Sequence, residues 1–215
     1  MKQSIREEFF KLPNTITLVR IGLIPVSVGF LWVDTPRSCY WATVIFALAS
    51  ATDFLDGWIA RRWNLITITG KFLDPLADKL IVISALITLL AFGRVPAWAV
   101  IIIIVRELSI TSLRALAAGE GMVMAAGQEG KWKAALQMVG LVGLMVHYPH
   151  TVDFGVYRVY FHFHEAGLVF LYISIFFSIL SAGTYLGWFV TEADRRHVEY
   201  KKQRLAAPGD RREKP

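Results

Sequence analysis

Six apolar stretches of spanning length, divided by short polar connections, leave this chain few ways to fold. They run roughly over residues 15–33, 40–60, 74–93, 96–118, 132–147 and 166–190. About 20 mostly apolar residues cross a bilayer core as a helix, where every backbone polar group must be satisfied within the segment. Hydrophobic residues make up 55% of the 215, and the mean hydropathy of +0.47 is high for a soluble domain. In the third stretch the purely apolar part, Leu80 to Phe92, is too short to cross alone, so its polar start near Asp74 must belong to the helix. Pro75 then fits a first-turn position, where a missing N–H costs nothing. The expected fold is all-α: an integral membrane protein of six transmembrane helices. It forms a single domain over residues 1–205, with a short amphipathic N-terminal helix at 1–12 and a basic, disordered tail at 206–215. The lone Cys39 excludes an internal disulfide framework and a thiolate metal cage. Residues 1–11 are charged and lack a cleavage site, so no removable signal peptide is expected.

Basic residues orient the spans. Lys2, Arg6 and Lys11 precede the first, Arg61, Arg62 and Lys71 follow the second, and Lys131 and Lys133 precede the fifth. Arg195, Arg196, Lys201, Lys202, Arg204, Arg211, Arg212 and Lys214 follow the last, whereas the opposite connections hold only Arg37, Arg94 and Arg158. Positive charge stays on the cytoplasmic side. Both termini are therefore expected in the cytoplasm of a bacterial inner-membrane protein. The net charge of +6 lies mostly in the tail and reads as an anchor on anionic lipid. No aromatic residues interleave it as a nucleic-acid surface would require.

Four aspartates interrupt this apolar pattern. The chain reads Asp53-Phe-Leu-Asp56-Gly57-Trp-Ile-Ala60-Arg61, then eight residues, then Gly70-Lys-Phe-Leu-Asp74-Pro-Leu-Ala-Asp78. Carboxylates at membrane depth are costly and functional by default. Spacings of three and four place them on facing sides of two successive helices. An all-carboxylate cluster repels itself unless hard divalent cations neutralise it, and Mg²⁺, Mn²⁺ and Ca²⁺ suit such donors. Helix caps would explain Asp74 before Pro75 but not Asp53, Asp56 and Asp78 together.

Asp-x2-Asp-Gly-x2-Ala-Arg-x8-Gly-x3-Asp-x3-Asp is also the signature of the CDP-alcohol phosphotransferases, and each of its positions is filled here. The chain resembles that family, and within it the bacterial phosphatidylglycerophosphate synthases. The resemblance implies transfer of the phosphatidyl group of CDP-diacylglycerol to sn-glycerol 3-phosphate, with release of CMP. It implies two divalent cations, Mg²⁺ or Mn²⁺, on Asp53, Asp56, Asp74 and Asp78, with Asp78 as the general base. Asp78 is left open between base alone and base with metal ligand. The matching positions assign Gly57, Ala60, Arg61, Thr67 and Gly70 to the cytidine diphosphate group. Gly57 and Ala60 keep the helix wall low, Arg61 can pair with a phosphate, and Gly70 permits a tight return before Asp74. The donor's acyl chains must stay in lipid, so the polar cavity has to open laterally as well as to the cytoplasm.

Further polar residues fall on the same side. Pro13-Asn14-Thr15-Ile16-Thr17-Leu-Val-Arg20 is similar to the family's start, with Ile16 in place of leucine. Asn14 and Thr17 then look like donors to the nucleotide, with helix capping as the other use of Asn14. Arg20 either faces the site or snorkels to the interface. Arg106-Glu107 and Arg114 resemble an acceptor-phosphate stretch, with structural pairing of Arg106 and Glu107 as the alternative. Gly130-Lys131-Trp-Lys133-Ala-Ala-Leu-Gln137 completes the pattern, although the relatives usually carry Thr where this chain has Ala134. Arg20, Arg106, Arg114, Lys131 and Lys133 are the candidate acceptor-phosphate residues. His162 and His164 beside Glu165 suggest a metal site but read better as part of an interfacial aromatic belt within residues 147–164. Gly183-x3-Gly187 is a close-packing motif, serving internal packing or the expected homodimer. Another acceptor (an inositol phosphate, serine or a lipid hydroxyl) would need the same chemistry. A cation transporter would instead need carboxylates near the midplane, reachable from both sides.

Overall fold

The computed structural model describes residues 12–62, 68–122, 128–153 and 158–206. The amphipathic arm expected over the first residues and the end of the basic tail lie outside them. Among the described residues six helices follow one another: α1 Leu12–Trp32, α2 Pro36–Arg62, α3 Ile68–Ala91, α4 Ala97–Gly119, α5 Gln128–Val146 and α6 Phe163–Ala206. A hairpin of β1 His150–Asp153 and β2 Arg158–Phe161 separates the last two helices. Two helices, α1 and α6, carry an uninterrupted apolar window long enough to cross a membrane among the described residues. The others are 27, 24, 23 and 19 residues long and carry charges. Outward faces are apolar too: Ile101, Val105 and Leu108 form an exposed stripe on α4 at helical spacing. Such a surface belongs in lipid.

The core runs between the helices as a chain of small and branched residues. Cys39, Ala42, Phe46 and Ala49 supply the buried face of α2, and Ala77, Ile81, Ala85 and Leu89 that of α3. Helix α1 packs on both, and α5 packs on α6. Helices α5 and α6 approach closely because glycines face each other. A Cβ on Gly167 would sit 2.8 Å from the Leu144 backbone nitrogen, and one on Gly143 2.9 Å from the Phe163 carbonyl oxygen. Gly183 and Gly187, the expected packing motif, have nothing within 4 Å of an added Cβ. Internal packing is therefore not their use. Helices α3 and α4 both end in turns closed by a left-handed glycine, Gly93 (φ +66°) and Gly121 (φ +67°). In each, the next residue's N–H reaches back to a carbonyl five residues earlier, Arg94 to Leu89 at 2.9 Å and Met122 to Ala117 at 2.8 Å.

At the end of the bundle that holds the α1–α2 and α3–α4 turns, Arg94 ties several elements together. Its buried guanidinium is ion-paired to Asp34, donates to the Met145 carbonyl at 3.3 Å and lies over the Phe92 and Tyr148 rings. The Tyr148 hydroxyl donates to the Asp34 carbonyl at 2.8 Å. His147 Nδ1 lies 3.2 Å from His164 Nδ1, and burial together with the nearby Arg94 charge pushes the His147 pKa down. His162 instead sits 4.0 Å from Glu165. Among the described residues no three His, Cys, Asp or Glu side chains converge as a metal site.

Two expectations about helix bounds need correction. Helix α3 begins at Ile68, so Gly70 makes no return and Pro75 lies inside the helix rather than in its first turn. Without a proline N–H one rung of the ladder is lost, and packing of α3 against α1 and α2 holds the helix through it. The aromatic segment before α6 forms the β1–β2 hairpin, with His150 opposite Phe161 and Asp153 opposite Arg158. Its four-residue strands are too short to show a period. Finally, α6 does not stop near Val190 but continues to Ala206, about 24 Å further at 1.5 Å per residue. Glu192 pairs with Arg195 at 2.9 Å and with Arg196 at 3.3 Å along that extension. Arg196 also donates to the carbonyls of Glu120 and Gly121, fastening the extension to the end of α4.

The glycine contacts predict an asymmetry. Gly167→Ala forces backbone apart at the α5–α6 crossing and should cost about 1–3 kcal/mol, seen as a lower Tm in detergent micelles. Gly183→Ala, in open space, should stay within about 0.5 kcal/mol of wild type. Equal melting of the two variants would contradict the crossing described here.

Candidate active site

The aspartate motif is divided between the end of α2 and the first half of α3. Asp53, Asp56, Gly57, Ala60 and Arg61 are on the last third of α2, and Gly70, Asp74 and Asp78 on α3. The side chains of residues 53–69 lie outside the described part, and so does Thr67 altogether. Asp74 and Asp78 are one helical turn apart and share a face. Asp74 does not cap α3, since six helical residues precede it. Capping therefore cannot account for it.

Helix α1 supplies the partners. Asn14, Thr17 and Arg20, three residues apart, are each no more than 1% exposed. The Thr17 hydroxyl donates to Asp74 Oδ1 at 2.8 Å. A hydroxyl has one proton, and here that of Thr17 is directed at the Asp74 carboxylate. Arg20 does not snorkel. Its Nε donates to the Thr52 hydroxyl at 3.5 Å, while that hydroxyl donates to the Ala49 carbonyl at 2.7 Å. This places the guanidinium beside the residue that precedes Asp53. Asn14 lies inside the first turn of α1, buried toward the same side.

A pocket with a cavity volume of about 80 Å³ opens next to this cluster. Asp78 and Lys79 of α3, Glu107 of α4, and Lys133 and Gln137 of α5 supply its polar lining. Lys133 and Glu107 form an ion pair, and Arg106 Nη1 lies 3.4 Å from the same Glu107 oxygen. Glu107 therefore neutralises Lys133 as well as Arg106, a pairing between residues 26 positions apart that sequence spacing does not reveal. Ala134 also lines the pocket, so the missing threonine hydroxyl falls inside it.

The remaining candidate cations are placed differently. Arg106 turns to α6, donating to the Ser178 carbonyl at 3.1 Å and the Ser181 hydroxyl at 3.3 Å. The Arg114 guanidinium lies 5.6 Å from the centroid of the Tyr185 ring, also on α6. Neither lines the Asp78 pocket, and the Lys131 side chain is outside the described residues. Of the candidate acceptor residues whose side chains are described, only Lys133 is brought there. Gln137 and Lys79 are polar lining residues to which the motif assigned no role. The spacing of Gln137, one turn after Lys133, was the available signal.

The donor set fits a hard divalent cation. Asp74 and Asp78 offer only carboxylate oxygens, Asp74 accepting from Thr17 at Oδ1 and Asp78 exposed at the pocket, and such donors suit a hard divalent cation. The chain also resembles proteins of known kind. The family model described as CDP-alcohol phosphatidyltransferase matches residues 10–188. A Bacillus subtilis CDP-diacylglycerol–glycerol-3-phosphate 3-phosphatidyltransferase is 41% identical over 188 residues, covering 82% of this chain and 93% of that protein. Proteins of the same name from Haemophilus influenzae and, as form 2, from Arabidopsis thaliana are each 35% identical, covering 82% and 81% of this chain and 92% and 78% of their own lengths. A transporter reading has no support beside these matches. With an aspartate motif split across two packed helices and a family match over most of its length, the chain belongs to the CDP-alcohol phosphatidyltransferases.

Proposed function

We propose that this enzyme transfers the phosphatidyl group of CDP-diacylglycerol to sn-glycerol 3-phosphate, giving phosphatidylglycerol phosphate and CMP. The relatives' names support this choice of substrates. The observation that carries the chemistry is the pair Asp74 and Asp78: one held by Thr17 beside the α2 motif, the other open to a pocket with Lys133.

Asp53, Asp56, Asp74 and Asp78 are the residues that would hold two Mg²⁺ or Mn²⁺ ions. Such ions supply charge neutralisation for the pyrophosphate and for the oxygens that attack and leave. Asn14, Gly57, Ala60, Arg61, Thr67 and Gly70 form the proposed nucleotide side, with Thr17 fixing Asp74 from behind. The acceptor's primary hydroxyl attacks the phosphorus that bears the diacylglycerol. The bond from that phosphorus to the CMP oxygen breaks, and CMP leaves with the electron pair. Asp78 takes the hydroxyl proton. Lys133, with Lys131 and Arg20, is proposed to receive acceptor phosphate, while Arg106 and Arg114 brace α4 against α6. We read the chain as crossing the bacterial inner membrane six times, with both termini and the cavity facing the cytoplasm, the donor's acyl chains in lipid, and two copies forming a homodimer.

CMP release from CDP-diacylglycerol tests this directly. EDTA should abolish it, Mg²⁺ or Mn²⁺ should restore it, and Asn in place of Asp53, Asp56 or Asp74 should collapse turnover in protein that still purifies folded. Full activity in EDTA would rule out the metal-assisted step. Serine accepted in place of glycerol 3-phosphate would change the acceptor and leave the chemistry standing.

The base and the ligands separate in binding. Asp78→Asn should lose turnover by orders of magnitude yet retain CDP-diacylglycerol affinity, measured by isothermal titration in detergent. A loss of donor affinity equal to that of Asp53→Asn would make Asp78 chiefly a metal ligand.

Lys133→Ala should raise the KM for glycerol 3-phosphate roughly 10- to 150-fold, the equivalent of about 1.5–3 kcal/mol for a charge-assisted contact. The KM for CDP-diacylglycerol should change far less. Equal effects on both would place Lys133 at the nucleotide.

A further inference from the structure

We propose that Gln137 reads the secondary hydroxyl of the acceptor and so selects a vicinal hydroxyalkyl phosphate over one without that group. This rests on the acceptor reading given above and adds to it a specificity-determining residue.

Gln137 is only 5% exposed yet lines the pocket that holds Asp78. It lies one turn beyond Lys133 on α5, so the two share a face. Of the charged groups in that lining, Glu107 pairs with Lys133, and Lys79 Nζ donates to the Pro75 carbonyl at 3.3 Å. Gln137 differs. No side-chain hydrogen bond engages its amide among the described residues, although no fully enclosed side-chain polar atom is left unsatisfied there. Its amide therefore keeps access to the pocket space. An amide offers two N–H donors and an acceptor oxygen, and leaving these unmatched in an apolar setting costs stability. A ligand hydroxyl, donor and acceptor at once, matches it. A phosphate would favour the lysines instead.

The polar groups that line the pocket suit a three-carbon acceptor: a carboxylate, a lysine and a neutral amide. Its attacking primary hydroxyl goes to Asp78 and its phosphate to Lys133, which leaves the middle hydroxyl for the neutral amide. Ala134, on the same helix, offers no hydroxyl that could substitute. Because the middle carbon is the stereocentre, the same contact would also distinguish sn-glycerol 3-phosphate from its mirror image.

The test compares acceptors in purified full-length protein with Mg²⁺ and CDP-diacylglycerol, by CMP release. The acceptors are sn-glycerol 3-phosphate, sn-glycerol 1-phosphate and 3-hydroxypropyl phosphate, which keeps the primary hydroxyl and phosphate but lacks the middle hydroxyl. Gln137→Met preserves the length of the side chain and removes its polar atoms. It should lower kcat/KM for sn-glycerol 3-phosphate roughly 3- to 10-fold. Turnover of 3-hydroxypropyl phosphate should persist at the wild-type level, the KM for CDP-diacylglycerol should hold, and preference between the two mirror-image acceptors should fall. Unchanged acceptor ratios in Gln137→Met would overturn the proposal while the acceptor reading stands. Equal loss on all acceptors would also overturn it, by showing a structural role. If the wild-type protein itself uses none of the three phosphates, the acceptor reading fails and this proposal fails with it. That result appears before any variant is compared.

Discussion

Charge inside an apolar bundle has to be matched, and the placement of nearly every element here follows from how that is done. An isolated ion away from water costs several kcal/mol even after relaxation. Arg94 meets the requirement with Asp34 and the carbonyl of Met145, and in doing so joins the α1–α2 turn, the α3–α4 turn and the end of α5. Glu107 meets it with Lys133 and Arg106, joining α4 to α5 and, through the Ser178 carbonyl, to α6. The first brace joins helix ends, and the second acts from the middle of α4. The aspartate motif is built differently. Asp74 receives a neutral hydroxyl from Thr17, which orients a carboxylate without cancelling its charge. Braces whose charges are matched, beside a carboxylate whose charge is not cancelled by its hydrogen bond from Thr17, form an arrangement that an added cation would complete.

The same economy explains why α1 matters so much to the site. Its buried line of Asn14, Thr17 and Arg20 faces the helices that carry the motif. Thr17 reaches α3 and Arg20 reaches Thr52 of α2. One short face of α1 thus sets the positions of both halves of the motif relative to each other. An active site assembled from two helix ends tolerates little error, because a misplacement of about 1 Å can cost a hundredfold in rate. A third helix bonded to both provides the necessary reference.

What the sequence made legible is local in nature. Helix positions follow from apolar runs, and the motif follows from fixed spacings of three and four, both contained within a few turns. The contacts that complete the site are not local: Thr17 and Asp74 are 57 residues apart, and Lys133 and Glu107 are 26 apart. Nothing in the periodicity of either helix announces its partner. Boundary errors had a physical source as well. Gly70 reads as the place of a tight return, yet α3 runs from Ile68 through it and through Pro75 and packs on α1. Gly183 and Gly187 share the spacing of a packing motif, whereas the close approach within the chain uses Gly140 and Gly143 against Gly167 on another helix. Spacing along one helix does not say which face has a neighbour.

The acceptor side is where the structure changes the reading most. Five cations seemed available for a phosphate, and a dianion away from water needs more than one. Two of them, Arg106 and Arg114, are held by α6: one by a carbonyl and a hydroxyl, the other by an aromatic ring. They stiffen the wall of the site rather than lining the Asp78 pocket. Lys133 does line it, already neutralised by Glu107. A phosphate entering there must compete with Glu107 for Lys133, so the pocket holds its lysine in place before substrate arrives. That exchange of one carboxylate for a more highly charged phosphate keeps the lysine paired in both states. It favours acceptors that bring their own negative charge over neutral ones of the same size.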